Sequence, residues 1–164
     1  MKSNTKHKKA EKQFEIILRP KSNIKSRQWW TNQSKKIKCL LLKYMNQKKG
    51  LLVKNSAFTL LVTNNKEIQE LNKKFRQINK PTDVLSFHLN KKEQINNEYL
   101  GDIVISSDYA AKEAKRKKIN IETELSTLLI HGYLHLLGYD HKLQKEAKIM
   151  FSLQNKLLLE TIFY

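Results

Sequence analysis

Hydrophobic and polar residues alternate with two different periods along this 164-residue chain, and the periods predict its elements. Residues 14–18 form a short apolar run closed by Pro20, which reads as a strand. Trp30, Ile37, Leu40, Leu41 and Tyr44 keep helical spacing and predict a helix over residues 29–44, with Cys39 inside it as a small packing residue. Residues 57–62 are apolar and partly β-branched and read as the second strand. Ile68, Leu71 and Phe75 then mark a helix ending near Phe75. Pro81 biases Lys80 away from helical geometry, so residues 76–83 are expected to form an ordered loop. Strands over residues 84–89 and 100–106 follow, joined by a Lys- and Asn-rich connection over residues 90–99.

Three helices close the chain. The first runs to Lys118 from an Asp108 cap, with Ala110, Ala111 and Ala114 packed. The second covers residues 122–137 and stops at Gly138, a natural left-handed helix end. The last covers residues 143–159 and packs Ala147, Met150, Phe151, Leu157 and Leu158. The order β-α-β-α-β-β-α-α-α implies a mixed sheet with helices stacked against it, an α+β fold in one domain. Residues 1–12 read as a basic solvated extension and residues 13–164 as the domain.

Charge adds a class of partner without identifying it. Lys and Arg number 32 and Asp and Glu 15, a formal net charge of +17 that attracts polyanions, nucleic acid above all. Only four of the 32 are Arg (Arg19, Arg27, Arg76, Arg116), and 14 residues are Asn, a balance that a general preference for Lys and Asn also produces. The single cysteine excludes an intrachain disulfide framework and a Cys-based zinc finger. No apolar run approaches the ~18 residues of a membrane span, and no apolar segment follows the basic start, so the expected location is the cytoplasm, with no membrane partner.

The chemistry concentrates in residues 130–141. His131 and His135 are four apart, so both imidazoles leave one helix face a turn from each other. Gly138 lets the chain fold back and brings His141 over the same point. Three histidines so placed describe a metal site, and the leucines around them make the helix internal, where unpaired imidazoles are costly. Three neutral nitrogen ligands without a thiolate suit one Zn2+ per chain, with a fourth position for water in a hydrolytic site. The offsets match a zinc-protease motif, but Gly132 stands where that motif has its general-base Glu, which counts against peptide hydrolysis. Gly132 inside a helix costs ~1 kcal/mol relative to Ala and points to close approach of either a neighbouring element or a substrate.

The segment His131-Gly132-Tyr133-Leu134-His135-Leu136-Leu137-Gly138-Tyr139-Asp140-His141 resembles the hallmark of the YbeY family of endoribonucleases, bacterial 16S rRNA maturation factors. Leu71-Asn72-Lys73-Lys74-Phe75-Arg76, then Lys80-Pro81-Thr82-Asp83-Val84-Leu85-Ser86-Phe87, and Leu100-Gly101-Asp102-Ile103-Val104-Ile105-Ser106 extend the resemblance across residues 57–158. It implies a zincin-like mixed sheet packed with helices, zinc on His131, His135 and His141, and an RNA substrate: 16S rRNA in ribosomal particles, with ribosomal or ribosome-associated proteins as further partners. It also implies catalytic roles for Arg76 and His131. Composition gives Arg76 separate interest, since a rare Arg beside a Pro-ordered loop suggests the planar fork that phosphate recognition uses.

Two departures from the family pattern are His88, where Pro usually follows Ser-Phe, and the basic extension. Asp140 and Asp102 are candidate outer-shell residues. Asp140 either orients an imidazole or caps the last helix, and Asp102 either bonds near the site or binds loop amides. Lys112, Lys115, Arg116, Lys117 and Lys118 track phosphates or form a solvated helix face. The expected function is a zinc-dependent, single-strand-specific endoribonuclease in 16S rRNA 3′-end maturation and ribosome quality control, with water or a ribose 2′-hydroxyl as nucleophile. Its rivals are a non-catalytic, zinc-containing, RNA-binding ribosome-assembly protein and, further off, a metallopeptidase.

Overall fold

Side-chain oxygens placed just ahead of the helical runs start five of the helices. Ser26, Asn46, Asn64, Ser106 and Asn120 each accept a hydrogen bond from the backbone amide three residues on, satisfying one of the free N–H groups of a first turn. The computed structural model describes residues 14–20, 24–89 and 98–163. Its elements are β1 (Phe14–Leu18), α1 (Arg27–Tyr44), α2 (Gln47–Asn55), β2 (Ala57–Thr63), α3 (Asn65–Arg76), β3 (Val84–His88), β4 (Tyr99–Ser106), α4 (Ser107–Lys117), α5 (Ile121–Leu136) and α6 (Gln144–Phe163). The basic extension over residues 1–12 and most of the connection over residues 90–99 lie outside the described residues.

The four strands make one mixed sheet in the order β1-β2-β4-β3. β1, β2 and β4 run parallel, and β3 pairs antiparallel with β4, so the fold is α+β as the pattern implied. Successive side chains leave a strand on opposite faces. Phe58, Leu60 and Val62 of β2, with Ile103 and Ile105 of β4, therefore join one large core with Trp30, Ile37 and Leu41 of α1, Leu125, Leu129 and Tyr133 of α5, and Met150 and Leu157 of α6. Leu61, Leu85 and Val104 point the other way and form a smaller core with Ile68 and Leu71 of α3. α5 is buried nearly all round, as its leucine content requires.

Gly132 explains how α5 lies so close to the sheet. A Cβ on this residue would stand 2.8 Å from Cγ2 of Ile103, which is itself fully buried. The close approach is thus to β4, a neighbouring element.

Four readings are corrected by packing. α2 is absent from the expected order; its run Gln47-Lys48-Lys49-Gly50-Leu51-Leu52-Val53 has no clean helical period, and Val53 alone among its described side chains is fully buried. α4 is capped by Ser106, not Asp108, whose carboxylate instead accepts from the Asn65 amide (3.0 Å) and ties the starts of α3 and α4 together. Cys39 is exposed because α1 turns Trp30, Ser34, Ile37, Lys38 and Leu41 inward, and Phe151 is 42% exposed because α6 turns Met150, Gln154, Leu157 and Thr161 inward.

Candidate metal centre

His131 and His135 occupy the last turn and a half of α5, and the way that helix ends sets the third histidine. The Gly138 amide bonds the His135 carbonyl (2.9 Å) and the Tyr139 amide bonds the Leu134 carbonyl (3.0 Å). This is the Schellman pattern, and it needs the left-handed φ of 80° that Gly138 supplies. The reversal carries His141 back over the helix end. Ring centroids lie 4.6 Å (His131–His135), 5.3 Å (His131–His141) and 5.0 Å (His135–His141) apart. One nitrogen from each ring falls within 4.8 Å of the others, so the three can hold a metal ion.

The electrostatics suit ligation. Burial holds the His131 imidazole below its usual range, with His141 adding to the effect and Gln154 and Asp83 opposing it. Burial, then the proximity of His131 and His141, lowers His135 to about 4. Both rings are therefore neutral at pH 7 and keep a lone pair for a cation. Nε2 of His131 and Nε2 of His135 face each other at 3.0 Å, a distance two imidazolium ions would not tolerate.

The outer contacts come from α6. The side-chain Oε1 of Gln154 sits 2.9 Å from Nδ1 of His131, and the exposed Phe151 ring stacks on His141 at 5.6 Å and 17°. Nothing in the sequence singled out Gln154; its one signal is a polar residue in the inward phase of α6, between Met150 and Leu157.

The histidines line an open groove of about 830 Å³ that also includes Arg76, Lys80, Asp83, Ser86, His88, Lys117, Glu124, Asp140 and Lys142. Arg76 is the last residue of α3 and donates from Nη2 to the Ser86 carbonyl (3.1 Å), its only hydrogen bond among the described residues. Ser86 Oγ in turn reaches the Gly132 carbonyl at 3.4 Å, which links the arginine to the histidine helix. Lys117 is engaged by Glu124, a carboxylate only 1% exposed, at 2.7 and 2.8 Å. Arg116 is paired with Glu113.

Asp140 accepts from the His141 amide (2.8 Å) and pairs with Lys142 (3.3 Å), and the first of these contacts chiefly keeps its carboxyl below the usual range. Asp102 accepts from the Tyr99 hydroxyl on β4 and does not line the groove. Burial and that carboxylate push the Tyr99 phenol up to about 12.

The chain is similar to proteins already known. The endoribonuclease YbeY family model matches residues 20–161. The chain is similar to the endoribonuclease YbeY of Sulfurihydrogenibium sp. (strain YO3AOP1), 42% identical over 127 residues, covering 76% of this chain and 84% of that protein. It is also 41% identical over 125 residues to the endoribonuclease YbeY of Pelagibacter ubique (strain HTCC1062), covering 74% of this chain and 82% of the relative. Among solved structures, the solution structure of TM1509 from Thermotoga maritima superposes with a TM-score of 0.62 at 28% identity, covering 90% of this chain and 88% of that one. A match that takes in the histidine helix, the reversal at Gly138 and the arginine at the end of α3 places the chain in the endoribonuclease YbeY family.

Proposed function

We propose that this hydrolase is a zinc-dependent, single-strand-specific endoribonuclease that acts on ribosomal particles in the cytoplasm, in 16S rRNA 3′-end maturation and ribosome quality control. The observation that carries the reading is the convergence of three imidazoles on one point in a groove that also holds Arg76. An all-nitrogen donor set of this kind fits one Zn2+ per chain, held by His131, His135 and His141. When bound, the ion supplies Lewis-acid polarisation of a phosphoryl oxygen and activates a nucleophile at neutral pH.

The chain's own residues supply the rest. Arg76, anchored through one nitrogen to Ser86, presents its remaining N–H groups to a phosphodiester and neutralises charge that develops on the non-bridging oxygens. Lys80 and Lys142 on the groove wall favour a polyanionic strand. Lys117 is already neutralised by Glu124 and contributes less.

Peptide hydrolysis is disfavoured on steric grounds as well as chemical ones. The position that would carry a peptidase's glutamate is Gly132, and a side chain there would run into Ile103 rather than reach the groove. The test is cleavage of matched single-stranded and duplex RNA, and of immature small ribosomal particles, before and after chelation. Cleavage of the single strand and of the 16S 3′ extension, lost on chelation and restored by zinc, is expected. Chelator-resistant cleavage, or equal cleavage of duplex, contradicts the proposal.

A further inference from the structure

We infer that Gln154 is the positioning residue of the metal centre: its side-chain carbonyl fixes the tautomer and ring orientation of His131, so that Nε2 is the nitrogen offered to a metal. The inference rests on the reading of His131 as a ligand.

A neutral imidazole carries one N–H and one lone pair, and the partner of one nitrogen decides which is which. Nδ1 of His131 meets Gln154 Oε1 at 2.9 Å. An amide oxygen only accepts, so the proton resides on Nδ1 and the lone pair on Nε2. Nε2 is also the atom that faces His135 across 3.0 Å, on the side where the three rings converge.

Gln154 is itself well held. It is 9% exposed, on the inward phase of α6 with Met150, Leu157 and Thr161, so its amide has little freedom to swing away. It comes from an element separate from the three ligands, 23 residues beyond His131, which makes the docking of α6 on α5 a condition for a competent centre. Its neutrality also matters: an amide bonded to Nδ1 orients the ring without adding negative charge beside the ligands.

The test uses the full chain and the variants Gln154→Met, which keeps the volume and removes the acceptor, and Gln154→Glu, which keeps an acceptor at the same reach. Two readouts are taken: the His131 tautomer from ring-nitrogen NMR on metal-free protein, and zinc affinity by chelator competition. In wild type and Gln154→Glu, His131 is expected in the Nδ1–H form. In Gln154→Met that preference is lost and zinc affinity falls about 10–100-fold, while Gln154→Glu binds at least as tightly as wild type. Wild-type affinity with an unchanged tautomer in Gln154→Met would overturn the inference, and so would loss of affinity in Gln154→Glu equal to that in Gln154→Met. A wild type that takes up no zinc overturns the ligand reading instead, and the tautomer measured without metal tells the two failures apart.

Discussion

The two halves of the site are built on different principles. His131 and His135 ride on α5, a helix buried nearly all round and pressed against β4 at Gly132. His141 and Arg76 come from the solvent side, one after a helix stop and the other at a helix end, and both are exposed. The buried half is positioned by the same packing that folds the chain. The exposed half is held by a few local bonds, the Schellman turn and the Arg76–Ser86 contact. Substitutions on the buried side should therefore disturb stability and chemistry together, whereas those on the exposed side should separate them.

The sharpest separation is expected at His141→Ala. Removing one of three ligands should abolish tight zinc binding and RNA cleavage, while the melting of the metal-free protein shifts by no more than about 0.5 kcal/mol, because the ring is exposed. Equilibrium dialysis with zinc and calorimetry of the metal-free chain read both effects. A large loss of metal-free stability would show that the exposed half is structural after all.

Arg76→Ala comes next. Loss of one preorganised donor to a phosphoryl oxygen should reduce cleavage about 10²–10³-fold, with zinc content and melting unchanged. Arg76→Lys should recover only part of the rate, since an ammonium lacks the planar fork. Single-turnover kinetics at saturating RNA measure this effect on the chemical step.

On the buried side, Gly132→Val should destabilise the fold by about 1–3 kcal/mol in denaturant melts, since its side chain must displace Ile103. Its metal affinity should fall in parallel as α5 is pushed off β4. Unchanged stability would mean that the α5–β4 contact is looser than described.

The remaining effect is graded in pH. Burial lowers His131, and burial with its histidine neighbours lowers His135 to about 4 from the usual 6.5. The unfolded metal-free chain thus binds more protons than the native one below pH 6.5. Stability contributed by these rings is fully present above pH 6.5 and lost as pH falls towards about 4. Chemical denaturation of the metal-free protein across that interval should show the decline, and His135→Ala should flatten it.

The histidine cluster, which spans both halves, is the most legible part of the site. Spacing four, a leucine-rich helix and a glycine stop place His131, His135 and His141 from sequence because one helix and one turn fix all three. The strands were equally legible, since alternation and β-branched runs report a half-buried sheet directly. What depended on contacts between distant segments was not. α2 lacks a period because little of it is buried, and Ser106 caps α4 because the helix starts at Ser107, which puts Asp108 inside its first turn, where it accepts from Asn65. Phe151 looked like core until α6 settled with Gln154 inward, and Gln154 became visible only when α6 lay beside His131. Gly132 announced a close approach, and only the packed structure shows that its neighbour is Ile103.

The most direct test of the account is a paired measurement on purified protein: metal content by mass spectrometry, and cleavage of single-stranded RNA by wild type and His131→Ala. One zinc per wild-type chain, with metal and cleavage both lost in the variant, is the predicted result. Zinc in the wild type with equal trace cleavage in both proteins would contradict it, and would point to an RNA-binding assembly protein whose metal is structural.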